Sequence, residues 1–247
     1  MQHSTTQKSR QELPIAVALD ADWQASKVWL TRLRGKVWGF KVGSILYCEQ
    51  GNHIIREIQD AGFRVFLDLK FHDIPNTVAG AVKNAFALGV NLLTVHACGG
   101  ANMLKAAAKE QSANQSVLAV TVLTSLDQKD LGQVGVSRNL EDQVSSLADL
   151  VIESGVKGLV CSPLEVQNLR KKFPGALLVT PGVRLAEPGS QQKQNVQDQK
   201  RVATLDQTLK SGASLAVLGR ALTESTEWEK TWESLSSSLD GMSFQKL

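Results

Sequence analysis

Short apolar runs rich in β-branched residues alternate with longer amphipathic stretches along most of the chain. Eight of the apolar runs have the length and composition of buried strands, and they cover residues 14–20, 37–43, 64–70, 91–97, 116–124, 158–162, 177–183 and 215–221. Between them, apolar positions at helical spacing predict helices over 23–33, 48–60, 76–89, 100–112, 139–154, 163–172, 201–211 and 224–236. This regular alternation is typical of a parallel sheet built from β/α units.

Eight β/α units in a chain of 247 residues predict an α/β fold, a single-domain (β/α)8 TIM barrel. A doubly wound open sheet is the alternative. It loses its usual support because the first β/α turn carries no G-x-G-x-x-G pattern and the chain has no G-x-x-x-x-G-K-[ST] loop. We expect a barrel domain over 13–238, a flexible N-terminal segment over 1–12 and a C-terminal tail over 239–247.

Composition narrows the class of protein. With 43% hydrophobic and 21% charged residues the chain is typical of a folded domain, and its net charge of +3 is too small to indicate a nucleic-acid partner. No apolar run approaches the ~18 residues of a membrane span, and the first residues lack the apolar core of a signal peptide, so we expect a cytoplasmic protein. The three cysteines form no CxxC pair, and we expect them to be buried, reduced thiols.

Polar residues collect at the C-terminal ends of the predicted strands, where barrels place their active sites. They are Asp20, Lys41, the run Asp68 to Asp73, His96, Thr124, Ser125, Arg184, Gly219 and Arg220. The N-terminal ends of the strands carry far fewer polar residues. This asymmetry predicts a functional site at one end of the barrel.

The segment DLKFHD, residues 68–73, is the most informative part of the chain. Strand alternation predicts that Asp68 and Lys70 share the inward face, while Asp73 falls in the next turn and Asn76 is a candidate cap for the following helix. A lysine ammonium beside two carboxylates is suited to donating a proton. The same acidic surroundings argue against a Schiff-base lysine, and the remaining alternative is an ordinary ion pair at the rim of the barrel.

Asp20 and Lys41 point inward by the same alternation and have small neighbours, Ala18 and Gly43 among them. The pair could form a structural salt bridge, or it could bind sugar hydroxyls, with the carboxylate accepting and the ammonium donating hydrogen bonds. His96 also points inward, and without a second ligand at metal spacing we interpret it as a hydrogen-bonded core histidine.

A long polar connection follows the seventh predicted strand, from Arg184 to Lys200. It could be a surface insertion, but its position beside Gly219 and Arg220 favours a lid over the site. Arg184, Gln199, Gly219 and Arg220 would offer guanidinium, amide and backbone N–H donors to a phosphate. We assign Arg201 to the start of the next helix.

The run DLKFHDIPNT resembles the D-x-K-x-x-D-I-x-x-T signature of the orotidine 5′-phosphate decarboxylase family, which catalyses the last step of de novo pyrimidine synthesis. The resemblance extends in order from Pro14 to Ala221 through ALD, FKVG, TVHA, VTVLTS, TPGVR, DQKR and LGRA. It implies a homodimer of barrels that converts orotidine 5′-phosphate to uridine 5′-monophosphate without a cofactor or metal.

The resemblance also implies a role for each matching residue. Asp20 and Lys41 would hold the ribose, Lys70 would protonate C6, and Asp68 would lie against the departing carboxylate. Lys41 would join Asp68 and Lys70 in a charge network. Asp73 and Thr77 would reach into the site of the neighbouring subunit. Thr124 and Ser125 would meet the pyrimidine edge, and further substrate contacts would come from Ile74, Pro181, Arg184, Gln199, Gly219 and Arg220, the last four at the phosphate.

Two alternatives remain. Related Mg²⁺-dependent sugar-phosphate decarboxylases or aldolases carry an acidic metal ligand on strand 2, where this chain has Lys41, a cation that cannot bind a divalent metal. From another class, the chain could be a catalytically silent barrel that binds a phosphorylated ligand. The intact Asp68, Lys70 and Asp73 argue against this second alternative.

Overall fold

The structure, a computed structural model, describes residues 12–184 and 201–244. Eight parallel strands close into a barrel in the order β1-β10-β7-β6-β5-β4-β3-β2. These strands are β1 (Leu13–Leu19), β2 (Val37–Gly43), β3 (Arg64–Phe71), β4 (Leu92–His96), β5 (Ser116–Val120), β6 (Gly158–Val160), β7 (Leu177–Thr180) and β10 (Leu215–Leu218). The prediction of a (β/α)8 barrel is confirmed, with each of the eight predicted strands in its place.

A separate two-stranded parallel sheet, β8 (Val183–Arg184) with β9 (Ala203–Thr204), was not predicted. The predicted strand over 177–183 is interrupted at Pro181 and Gly182. Proline cannot donate a ladder hydrogen bond, and Gly182 has a φ of +79°, a conformation that few other residues adopt. The chain therefore leaves the barrel after Thr180 and pairs again as β8.

The helices alternate with the strands along the chain and pack around the outside of the barrel. They are α1 (Trp23–Ser26), α2 (Val28–Arg32), α3 (Ser44–Gln50), α4 (His53–Asp60), α5 (Pro75–Ala87), α6 (Gly100–Ala108), α7 (Gln128–Gln133), α8 (Leu140–Glu153), α9 (Val166–Lys172), α10 (Leu205–Lys210), α11 (Arg220–Thr223) and α12 (Trp228–Ser238), with a 3-10 turn over Ala97–Gly99. None of the described helices is long and apolar enough to cross a membrane.

Several helix boundaries differ from the prediction. The helix predicted over 48–60 is two helices, because Gly51 adopts a φ of +57° at the end of α3. The prediction that Asn76 caps α5 is wrong: Ile74 occupies the N-cap position without a side-chain hydrogen bond. Pro75 is the first helical residue, and its fixed φ favours that position.

The core has two layers, one inside the barrel and one between the barrel and the helices. Inside the barrel, small and large side chains combine to fill the space, as Ala16, Ala18, Phe66 and Leu118 do. The outer layer is larger and continuous. A Cβ atom on Gly39 would overlap the backbone carbonyl of Arg64, so a glycine is required where β2 lies against β3.

The expectation that all three cysteines are buried is correct only for Cys161. Burial raises the pKa of that thiol to about 12, so it stays protonated near neutral pH. Cys48 and Cys98 are exposed, the first in α3 and the second in the turn after β4. Near the C-terminus of the chain, Leu239 follows the last residue of α12 and is buried.

Candidate active site

A cavity of about 340 Å³ opens at the C-terminal end of the barrel. Nine of the residues predicted from sequence line it: Asp20, Lys41, Asp68, Lys70, Thr124, Ser125, Pro181, Gly219 and Arg220. Apolar side chains from inside the barrel complete the wall, among them Phe66, Val120 and Val217. The cavity therefore combines an apolar surface with charged groups on one side.

The charged side chains on β1, β2 and β3 form a row in which the sign of the charge alternates. The Lys41 Nζ lies 3.1 Å from Oδ1 of Asp20 and 3.8 Å from Oδ2 of Asp68. The Lys70 Nζ lies 2.9 Å from the same oxygen of Asp68. The row therefore runs Asp20, Lys41, Asp68, Lys70, and each inner member has an opposite charge on both sides.

The pKa of Asp68 is set by burial and by the two neighbouring ammonium groups. Burial by itself would raise the pKa of Asp68, but the ammonium groups of Lys41 and Lys70 outweigh it, helped by hydrogen bonds from Lys70 and Thr94. The net effect is a lowered pKa. Asp68 is therefore a largely buried anion at neutral pH, with 14% of its side chain exposed, and it holds two cations beside the cavity.

Lys70 has a backbone conformation that simple strand alternation does not predict. Its φ is +51°, and among the described residues it is the one non-glycine with a positive φ. The β3–β4 pairing is irregular at this point, with its register shifting between Leu67 and Phe71. Asp68 and Lys70 both line the cavity, which agrees with the prediction that they share the inward face. The regular strand pairing assumed in that prediction is absent at this point of β3.

Thr94 on β4 was given no role by the sequence, yet it contacts both members of this motif. Its hydroxyl donates to Oδ1 of Asp68 at 2.9 Å and accepts the backbone N–H of Lys70 at 2.9 Å. The side chain is fully buried. The sequence signal for it was the threonine in TVHA at the end of a predicted strand, which also fits ordinary core packing.

Glycine at position 43 leaves room for the lysine of the row. A Cβ atom there would lie 3.1 Å from the Nζ of Lys41 and 3.5 Å from Oδ1 of Asp20. Gly219 has a similar place on the other side of Asp20, where a Cβ would lie 3.6 Å from Oδ2.

Asp73, Ile74 and Thr77 are exposed and do not line the cavity of their own chain. Oδ1 of Asp73 accepts the backbone N–H of Ile74 at 2.6 Å, and no ion pair of Asp73 is found among the described residues. Within one chain, Lys70 therefore forms an ion pair with Asp68 and, among the described residues, none with Asp73. Asp73 lies in the turn before α5, so the charge triad expected from sequence is not formed within a single chain.

The predicted phosphate-binding residues are only partly brought together. Gly219 and Arg220 line the cavity, at the start of α11. Arg184 is exposed on β8 and is not among the lining residues. Gln199 lies outside the described residues, as do residues 185–200, which make up all of the segment interpreted as a lid except its first residue, Arg184.

Arg201 was assigned to the start of a helix, but α10 begins only at Leu205. Its side chain is buried and forms an ion pair with Glu165. It also donates hydrogen bonds to the backbone carbonyls of Val122 and Leu123, at 3.1 and 3.0 Å. Arg201 thus fixes the chain immediately before Thr124 and Ser125, a contact between distant segments that sequence alone does not reveal.

His96 is half-buried at the end of β4, with its ring centroid 5.6 Å from that of His72. Burial lowers the pKa of His96, and the nearby His72 and Lys70 lower it further. In residues 12–184 and 201–244, no group of three or more His, Cys, Asp or Glu side chains is arranged to hold a metal ion.

A comparison with models of protein families shows which family the chain belongs to. A model described as "Orotidine 5'-phosphate decarboxylase / HUMPS family" matches residues 14–235. The chain belongs to this family. The resemblance inferred from DLKFHDIPNT is thereby confirmed over almost the whole barrel.

Curated relatives support the same assignment. An orotidine 5'-phosphate decarboxylase of Sphingopyxis alaskensis is 42% identical over 215 residues, which cover 87% of this chain and 93% of that protein. One from Thermobifida fusca is 44% identical over 217 residues, covering 87% and 90%. Among solved structures, the orotidine 5'-phosphate decarboxylase of Lactobacillus acidophilus has a TM-score of 0.77 at 32% identity, covering 92% of this chain and 99% of that one.

Proposed function

We propose that this member of the orotidine 5′-phosphate decarboxylase family converts orotidine 5′-phosphate to uridine 5′-monophosphate without a cofactor, and that Lys70 protonates C6. Family membership supports the reaction class. The alternating row of charges in the cavity supports the mechanism, because it supplies a fixed cation and a proton source at one point. A nucleotide substrate of this kind also favours a cytoplasmic location.

The chemistry requires stabilisation of a carbanion. When the bond between C6 and the carboxylate breaks, CO₂ leaves and the electron pair stays on C6, which has no adjacent carbonyl to accept it. A preorganised positive charge lowers the energy of such a developing anion. The Lys70 ammonium supplies that charge and then transfers a proton to C6, after which the neutral amine regains a proton from water.

Asp68 has two roles in the proposed reaction. Its carboxylate holds the ammonium groups of Lys41 and Lys70 in place, at 3.8 and 2.9 Å. It also puts a negative charge beside the carboxylate of the substrate, which is relieved when CO₂ departs. Both roles require an ionised Asp68, and the lowered pKa of this group supports that state at neutral pH.

The remaining cavity residues would bind the rest of the nucleotide. Asp20 and Lys41 offer an acceptor and a donor to the ribose hydroxyls. Thr124 and Ser125 offer hydroxyls to the pyrimidine edge, near Pro181. Gly219 and Arg220, joined by Arg184 and Gln199, would take the 5′-phosphate through backbone N–H, guanidinium and amide donors.

The proposal includes a homodimer in which Asp73 and Thr77 reach the site of the neighbouring subunit. Ile74, between them, has 66% of its surface exposed, and Ile45, in the first turn of α3, has the same exposure. Exposed apolar side chains of this size favour contact with another protein surface. Asp73 itself is exposed, so its carboxylate is accessible to a partner subunit.

The observation that carries the proposal is the place of Lys41 between two carboxylates. In a metal-dependent relative, an oxygen ligand on this strand would be needed to bind Mg²⁺. Here an ammonium group lies 3.1 Å from Asp20 and 3.8 Å from Asp68, and together with Lys70 beside Asp68 it balances the charge of both carboxylates. This favours the cofactor-free reaction over metal-dependent sugar-phosphate chemistry.

Product analysis tests the reaction. Purified protein is incubated with orotidine 5′-phosphate, and separately with a sugar-phosphate acid plus Mg²⁺, and the products are separated by chromatography. The proposal predicts equal amounts of uridine 5′-monophosphate and CO₂ from the first substrate and no product from the second. Turnover of the sugar-phosphate acid alone would overturn it.

A further inference from the structure

The hydroxyl group of Thr94 joins the side chain of one proposed catalytic residue to the backbone of another. It donates its only proton to Oδ1 of Asp68 at 2.9 Å, and its lone pair accepts the N–H of Lys70 at 2.9 Å. Thr94 lies on β4, the strand beside β3, and is fully buried.

The two hydrogen bonds have different effects on the site. The bond to Oδ1 fixes the orientation of the Asp68 carboxylate, so that the other oxygen, Oδ2, faces both Lys41 and Lys70. The bond from Lys70 satisfies an N–H at the point where β3–β4 pairing is irregular. That N–H belongs to a residue with a φ of +51°, a strained conformation for lysine that persists only when its surroundings hold it.

We propose that Thr94 is a positioning residue for the decarboxylation, acting through Asp68 and Lys70 without touching the substrate. This inference rests on the proposed function for its kinetic consequence. The position of the row depends on one hydroxyl, so its loss changes the angle of Asp68 and relaxes the backbone of Lys70. Misplacement of a reacting group by about 1 Å can cost on the order of a hundredfold in rate.

The central variant is Thr94→Val, which keeps the shape of the side chain and removes the hydroxyl. We expect a kcat about tenfold to a hundredfold below wild type, with a much smaller change in KM, because the nucleotide-binding groups stay in place. Thr208→Val is the matched control. Thr208 is also a buried threonine with a hydrogen bond, from its hydroxyl to the carbonyl of Thr204 at 2.7 Å, but it lies on α10 outside the barrel.

A second pair of variants covers the case in which valine disturbs folding. Thr94→Ser and Thr94→Ala differ only by the hydroxyl oxygen, so both lose the methyl group of threonine. The proposal predicts that serine restores most of the wild-type kcat and alanine does not. Equal kcat values for the serine and alanine variants would overturn it, as would a wild-type kcat in Thr94→Val.

A measurement without substrate separates this inference from the proposed reaction. Titration of the Asp68 carboxyl carbon by NMR should give a higher pKa in Thr94→Val than in wild type, because a hydrogen bond to the anion is lost. Lys41, Lys70 and His96 are the other charged or titratable groups that act on Asp68, and all are retained. An unchanged pKa would overturn the role of Thr94, whereas failure of wild-type protein to decarboxylate orotidine 5′-phosphate would overturn only the reaction.

Discussion

The ammonium nitrogen of Lys70 lies 2.9 Å from Oδ2 of Asp68, across a break in the regular geometry of β3. The two residues are only two positions apart in sequence. Lys70 has a left-handed backbone conformation, which residues of an ordinary ion pair on one face of a regular strand do not have. Backbone strain of this kind is concentrated at functional sites. We therefore interpret the ion pair as part of the functional site. Its contribution can be tested through the free energy of unfolding and through the reaction rate.

Replacement of Asp68 tests the charge row through the pH dependence of stability. A lowered pKa in the folded state means that ionised Asp68 stabilises the protein above its ordinary pKa of 3.8, and that this contribution is lost as the pH falls through the lowered value. We expect wild type to exceed Asp68→Asn by on the order of 1–3 kcal/mol in free energy of unfolding at neutral pH. Urea unfolding at a series of pH values should show this difference shrinking in acid.

Asp149→Asn is the control for that series. Asp149 pairs with Lys172 at 2.6 Å, but both side chains are about 40% exposed, and such surface pairs contribute roughly 0–1 kcal/mol. A difference for Asp68→Asn that stayed constant from neutral pH to well below 3.8 would contradict the account of the buried anion.

Gly43→Ala tests whether the position of Lys41 matters for the reaction. The added Cβ would lie 3.1 Å from Nζ of Lys41, tighter than most real contacts, so the ammonium must shift by a few tenths of an ångström within the row. Because the substitution touches an interaction that positions charge, we expect kcat/KM to fall about tenfold, which corresponds to roughly 1.4 kcal/mol of transition-state stabilisation. Steady-state kinetics measures this directly.

Gly175→Ala is the matched control for this variant. A Cβ at Gly175 meets no atom within 4 Å, and the residue lies in the turn before β7, at the other end of the barrel. The control should keep the wild-type kcat/KM. If Gly43→Ala also kept it, the row would tolerate displacement of Lys41 and the argument from geometry would be wrong.

Sharing of sites between subunits is tested with two inactive variants, Lys70→Ala and Asp73→Ala. If Asp73 serves the neighbouring subunit, a hybrid dimer has one site with both residues intact and one site with neither. Random assembly then yields about a quarter of the wild-type sites. Co-expression with two affinity tags allows the hybrid to be purified and assayed, and hybrids without activity would contradict the shared site.

The strand pattern was enough to predict the barrel, because eight apolar runs separated by amphipathic helices leave few other ways to bury a parallel sheet. Polar residues at strand ends were likewise enough to find the cavity. The charge row from Asp20 to Lys70 follows from the neighbouring positions of β1, β2 and β3 in the barrel. These features depend on periodicity and order, which are visible in the chain.

Other features depend on contacts between distant residues and could not be predicted. Thr94 meets Asp68 and Lys70 across the β3–β4 pair, and Arg201 meets carbonyls 78 and 79 residues away. The left-handed φ of Lys70 leaves no mark in the sequence, since lysine rarely adopts it. Asp73 is close to Lys70 in sequence, but its carboxylate accepts the N–H of Ile74 in the turn before α5 and, among the described residues, forms no ion pair with Lys70.

The most direct test of the central claim is a continuous ultraviolet assay of orotidine 5′-phosphate with wild type, Lys70→Ala and Lys109→Ala, each with and without EDTA. Lys109 is an exposed lysine at the end of α6 and serves as the control. The account predicts turnover by wild type and Lys109→Ala that EDTA does not change, and a rate lower by about a hundredfold or more for Lys70→Ala, as expected for loss of a general acid. Turnover that EDTA abolishes, or a wild-type rate in Lys70→Ala, would contradict it.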